Sequence, residues 1–234
     1  MKKYLSIVLL SSIVCSTAQT FAATYPEATE AIQNGVVEIE IDEEGGLIVG
    51  PEEPIEPLDP SPTDPPITNP NAGLLKINYV SDLIFSDNKD DGTNKGAVKY
   101  TGDKLELYAA NDTHWTTERD PFLNTEDRRV DGNAGNYQLT ATMSKEGYVN
   151  GSASLKGATT DITTTTHNYA KTTTVASTYS LIPETPVTVV TATEDIGSHS
   201  FAFDQAKLTI PAGLSLAKGT YTATINWNLM GDTP

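Results

Sequence analysis

The chain has 234 residues, with 31 Asp and Glu against 15 Lys and Arg, a formal charge of −16 and a single cysteine. That balance argues against nucleic-acid binding, which selects for basic surfaces, and an anionic membrane would repel it as well. One thiol leaves no disulfide framework, so a core alone must hold the fold, and the chain is long enough for one.

Residues 1–23 read as a secretory signal. Lys2 and Lys3 form the positive start, Leu5 to Val14 the apolar run, and Thr20-Phe-Ala22-Ala23 the small residues for cleavage, which fits best after Ala22. The run is too short to span a bilayer, and no other stretch is long or apolar enough, so no membrane insertion is expected. Cys15 falls inside the signal, where Ser12-Ile13-Val14 poorly matches a lipoprotein site. Two lysines and no acid leave with the signal, so −16 becomes −18.

Residues 24–72 read as an acidic arm, with twelve acids and no Lys or Arg. Pro51, Pro54, Pro57, Pro60, Pro62, Pro65, Pro66 and Pro70 recur among those acids, a composition that favours an extended polyproline II spacer over a core. Upstream, Val37, Ile39 and Ile41 alternate with Glu38, Glu40 and Asp42 before Gly45-Gly46, which predicts a hairpin over 36–49. Alone it would be marginal in water. It either stays loose or adds a strand to a sheet, its own or a partner's.

From Gly73 to Pro234 the texture is all-β, and a single β-sandwich or flattened barrel is expected. Strand patterns fall at Leu75–Tyr79, Leu105–Leu107, 137–143, 187–193, 199–203 and 206–210, separated by Gly, Asn and Asp clusters. The threonine-rich stretch from Thr159 to Thr178 reads as a long loop or weak edge strands. The final pattern is the clearest. Tyr221, Ala223, Ile225, Trp227 and Leu229 share one face, and Thr222, Thr224, Asn226 and Asn228 the other. A weaker copy places Tyr137 and Leu139 alike.

No catalytic or metal-binding residue is assigned. Asp87-Asn-Lys-Asp-Asp-Gly92 looks like a calcium loop, but Lys89 and Val98 stand where oxygen ligands are needed, and a solvated turn is the simpler reading. His114, His167 and His199 are scattered, and no nucleophile elbow or phosphate-binding glycine loop occurs. Asp127 and Arg128 read as a local salt bridge or turn brace, with a carboxylate-gripping role for Arg128 or Arg129 as the alternative. Trp227 and Leu229 are core residues if their face turns inward, as in most alternating strands, and binding residues if the indole stacks on a sugar or fills a partner's pocket.

Five landmarks occur in order along the chain. They are the signal and acidic proline tract, Leu74-Leu-Lys-Ile-Asn-Tyr-Val-Ser-Asp-Leu-Ile-Phe85, and Phe122-Leu-Asn-Thr-Glu-Asp127-Arg128 leading into Tyr137-Gln-Leu139. Leu155-Lys-Gly157-Ala158 follows, and then Leu208-Thr-Ile-Pro211-Ala-Gly213 running through Gly219-Thr-Tyr221 to Trp227-Asn-Leu229. In this order the chain resembles the WxL-domain surface proteins of low-GC Gram-positive bacteria. It departs from their pattern at Tyr137, which replaces tryptophan, and at Arg129, which replaces a glycine.

The resemblance implies a non-catalytic secreted protein, without cofactor, held non-covalently at the cell wall by engaging peptidoglycan or another wall polymer. It implies complexes with other surface proteins, including membrane-anchored WxL-interacting proteins, and in some cases contact with host matrix. Tyr137, Leu139, Trp227, Leu229 and Arg128 are the residues expected to bind wall or partner. The alternative is a structural or adhesin-type subunit held mainly by a membrane-anchored partner. No sorting signal follows Trp227-Asn-Leu229, so retention is expected to use the folded surface.

Overall fold

The computed structural model describes residues 24–27, 30–32, 48–51, 57–66, 68–86, 98–130, 132–165 and 173–231. The chain divides into two units, Met1–Ile41 and Asp42–Pro234. In the first, strands β1 (Thr24–Glu27) and β2 (Glu30–Ile32) pair antiparallel. The hairpin expected over 36–49 lies almost wholly outside the described residues, as do the signal and the Asp87–Gly92 loop.

The second unit is all-β, with no helix among its described residues. It contains β3 (Leu75–Val80), β4 (Phe85–Ser86), β5 (Leu105–Ala109), β6 (Phe122–Asp127) and β7 (Tyr137–Met143). Two short strands follow, β8 (Val149–Asn150) and β9 (Ala153–Ser154), paired with each other, and Val149 also bridges Thr222. Then come β10 (Thr159–Thr165), β11 (Thr174–Val175), β12 (Thr178–Leu181), β13 (Val187–Ala192), β14 (Gly197–Ile210) and β15 (Ile225–Gly231).

Two sheets face each other across one core. The larger has β14 as its spine, with β10 along one side and both β6 and β5 along the other; β12, β3 and β4 extend it outward. The smaller runs β11-β13-β7-β15. Every strand pairing is antiparallel. Phe201, Phe203, Ile162 and Leu208 from the larger sheet meet Tyr137, Leu139, Met143 and Val189 from the smaller, all buried. This is the sandwich layout expected from alternating apolar faces.

Sequence and structure part in three places. The two patterns at 199–203 and 206–210 belong to one continuous strand, β14, of 14 residues. The stretch from Thr159 holds β10, an interior strand between β12 and β14 rather than a loop or edge. Threonine's branched Cβ suits a pleated surface, and Thr160, Ile162 and Thr164 are buried on one face. Residues of the acidic spacer, and the end of the stretch read as a loose or strand-adding hairpin, also reach the domain. Ile48 is buried with Tyr79, Trp115 and Phe122, and Leu58 packs beside them.

That second cluster sits apart from the main core. Trp115 meets Tyr79 edge-on at 5.2 Å. Backbone bonds fasten the segment: Leu58 N–H donates to Ile48 O, Ser61 N–H to His114 O and Thr116 N–H to Asp59 O, at 2.8–2.9 Å. Beneath it, the Asp112 carboxylate is buried and accepts from Tyr79, Ser81 and the His114 backbone. Burial, the largest single influence, raises its pKa, yet those bonds together hold it below the usual carboxylate value. Ile48→Ala should cost about 2 kcal/mol, the low end for truncating a buried aliphatic. In a domain of this size the melting temperature should then fall by about 4–8 °C, and Trp115 emission should shift to the red.

Candidate functional site

The two aromatic-x-Leu motifs lie side by side. β15 pairs antiparallel with β7 so that Leu229 stands opposite Leu139, Trp227 opposite Ala141 and Gly231 opposite Tyr137. Each bulky ring therefore faces a small neighbour, which leaves it room to lean into the core. Leu229 and Leu139 fill the position between. Tyr137, Leu139, Trp227 and Leu229 are thus brought together on one face.

That face turns inward. Tyr137 is 2 % and Leu139 1 % exposed. The Tyr137 hydroxyl meets Thr125 Oγ1 of β6 at 3.2 Å, and burial pushes its pKa up to about 12. Trp227 reaches across the sandwich to stack on Phe203, with centroids 5.7 Å apart and planes 8° from parallel. Phe203 is itself 1 % exposed. The inward face of β15 is nevertheless only half-buried, because β15 is the edge strand of its sheet. Asn226, Asn228 and Met230 face outward and are exposed.

Arg128 lies elsewhere, just past β6. Its Nε donates to Glu126 Oε1 at 2.7 Å, and its side chain stays 23 % exposed. The brace expected between Asp127 and Arg128 is instead made by Arg129. Along an extended chain, neighbours point to opposite sides and residues two apart share one, so Glu126 meets Arg128 and Asp127 meets Arg129. Arg129 Nε and Nη2 donate to the two Asp127 oxygens at 3.0 and 2.8 Å, and Nη2 also reaches Asn136 O. The Asp127 carboxylate further accepts from Gly135 N–H at 2.7 Å. Burial is the strongest influence on it and raises its pKa, but these donors outweigh burial and hold it below the ordinary carboxylate range.

Two glycines make this corner possible. Gly135 has φ +79°, and a Cβ there would collide with the Glu194–Asp195 backbone at 2.4–2.8 Å. At Gly231 a Cβ would strike the Arg129 guanidinium. Arg129 therefore rests over the end of the motif strand, a role that no motif in the sequence announces.

The Leu155-Lys-Gly157-Ala158 box forms a turn closed by Ala158 N–H to Leu155 O at 3.0 Å. Leu155 and Ala158 anchor in the core, while Lys156 and Gly157 face solvent. Among the described residues no three His, Cys, Asp or Glu side chains are grouped to hold a metal.

A family model described as WxL domain, surface cell wall-binding, matches residues 27–234. The chain belongs to the WxL domain family. Its place is the outside of the cell, at the wall, and its role is that of a wall-binding surface protein. Searches of the curated proteins and of the solved structures found no match.

Proposed function

We propose that the protein is a non-catalytic module that attaches without a covalent link to peptidoglycan through its β-sandwich, within a complex of surface proteins. What carries this reading is the match of a wall-binding family across 27–234, a span that holds both sheets and the paired motifs. In it, Trp227 and Leu229 shape the sheet edge from within, and Arg128 belongs to the surrounding surface.

A second reading has its own support. β15 is an edge strand whose apolar face is only half covered, and such an edge can accept a strand from another protein. This favours retention mainly through a membrane-anchored protein partner, with the chain as a structural or adhesin-type subunit. Sedimentation of the mature chain with purified walls separates the two. Retention on bare walls supports direct binding; a chain left in the supernatant until surface proteins are added supports the partner route. Deleting residues 24–41, which leaves Ile48 in place, tests whether the acidic unit recruits those proteins.

A further inference from the structure

At one end of the sandwich, where β7 stops and the chain turns into β8, lies a cleft of about 760 Å³. Exposed Lys145, Glu146 and Lys156 line it together with Ile182, Pro183 and buried Tyr148. Tyr148 is fixed in place: it is buried, and its hydroxyl is hydrogen-bonded to Thr160 at 2.9 Å. Ile182 is 40 % exposed, an apolar side chain left open beside two cations. The cleft also touches the motif strand's approach, since Thr222 and Val149 exchange backbone bonds of 2.9 and 3.0 Å.

The charge distribution singles this place out. In a chain of −16, cations are scarce, and several of the described ones are committed to ion pairs. Lys104 and Lys207 pair with Glu106, Arg128 with Glu126 and Arg129 with Asp127. Among the described residues, the exposed lysines with no ion pair are Lys99, Lys145, Lys156 and Lys218. Two of these four line the cleft. A third, Lys218, adjoins Gly219, which abuts the side chain of Asn150 in β8. Against them the cleft sets one carboxylate, Glu146.

We propose that this cleft is the wall-polymer site, and that its ligand is a carboxylate-bearing stem peptide of peptidoglycan. The proposal rests on the direct-binding reading above. The lysines supply point charges for carboxylates, while Ile182, Pro183 and the Tyr148 ring supply apolar surface for small side-chain methyls. A polyol phosphate would use the first and leave the second idle. Such a site also reconciles a negative protein with an anionic wall: long-range repulsion is screened beyond about 10 Å, and attraction acts only once the cleft lysines are in contact.

The test is sedimentation of the full mature chain with sacculi stripped of phosphate-bearing polymers, beside unstripped walls. The double substitution Lys145→Gln/Lys156→Gln should raise the half-saturating concentration about tenfold on stripped sacculi, the sum of two modest ion pairs. Melting should be unchanged, since both side chains are exposed. Glu146→Gln should tighten binding, and Lys99→Gln/Lys104→Gln should bind as wild type does. If the wild type sediments and the double variant matches it, the cleft is wrong while wall binding stands. Should wild-type binding vanish on stripping, the stem-peptide ligand is overturned in favour of a phosphate polymer. A wild type that sediments with neither preparation removes direct binding and the cleft together.

Discussion

Replacing Asp127 by alanine should lower the unfolding free energy by roughly 3–5 kcal/mol, the usual consequence of deleting one partner of a buried ion pair. The side chain is fully buried, and its loss strands two kinds of donor at once. The Arg129 guanidinium, 14 % exposed, would keep only the Asn136 carbonyl among the bonds described above, and Gly135 N–H would face an empty site. Because whole domains have only about 5–15 kcal/mol in hand, partial unfolding at 37 °C is the expected phenotype. Urea titration followed by circular dichroism measures it.

The pH dependence gives this prediction a second arm. The folded pKa of Asp127 lies below its unfolded value of about 3.9. Its contribution is therefore present in full above that unfolded value and is lost as pH falls through the folded one. The stability gap between wild type and Asp127→Ala should narrow below about pH 4. A gap that stays constant between pH 7 and pH 3 would show that the clamp's charge is not what holds the corner.

Trp227→Ala is the second large effect, about 3 kcal/mol. Fully buried tryptophans cost roughly 3–5 kcal/mol on truncation, and the low end applies because the inward face of β15 is only half-buried. The loss is the stack on Phe203 and the seal it gives the sandwich edge. Trp115 would then be the only indole, so the emission that disappears on substitution reports the Trp227 environment directly. For wall binding, the consequence is specific. A folded Trp227→Ala chain, assayed well below its melting temperature, should retain binding if the cleft is the contact. It should lose binding if the sheet edge is.

The strands with one wet face were legible in the sequence. β7 and β15 alternate because their outward faces are polar, Met230 at the end of β15 excepted, and the resemblance located both. β6 gives no such alternation, because all six of its residues are buried; Asn124 and Glu126 lie on a polar but covered face, bonded to Asn78, Ser198 and Ser200. The threonines of β10 misled by composition, since a hydroxyl next to a methyl reads as loop when the neighbouring strand is unknown. Ile48 and Trp115 were hidden differently. Ile48 read as part of the 36–49 hairpin and Trp115 stands alone among polar residues, so no period joins the two, and only the fold reveals that they meet.

Around the paired motifs, the residues themselves stood out in the sequence but their surroundings did not. That Tyr137 and Leu139 share a face followed from alternation, but that this face turns inward did not, and the partner of Trp227, Phe203, sits in the other sheet with no local signal. His114 looked scattered until Asp112 was placed beneath it, with Nδ1 2.8 Å from Oδ1. The cleft lysines lie on separate turns, and no spacing rule joins them.

The pairing of β15 with β7 has a kinetic side. Leu229 meets Leu139 across some 90 residues of intervening chain, so this half of the molecule cannot zip up from neighbouring segments. Topologies dominated by such distant partners assemble in roughly milliseconds to seconds rather than microseconds. A polypeptide bound for the exterior gains from that delay, because it stays threadable while crossing the membrane and acquires its adhesive shape only after arrival.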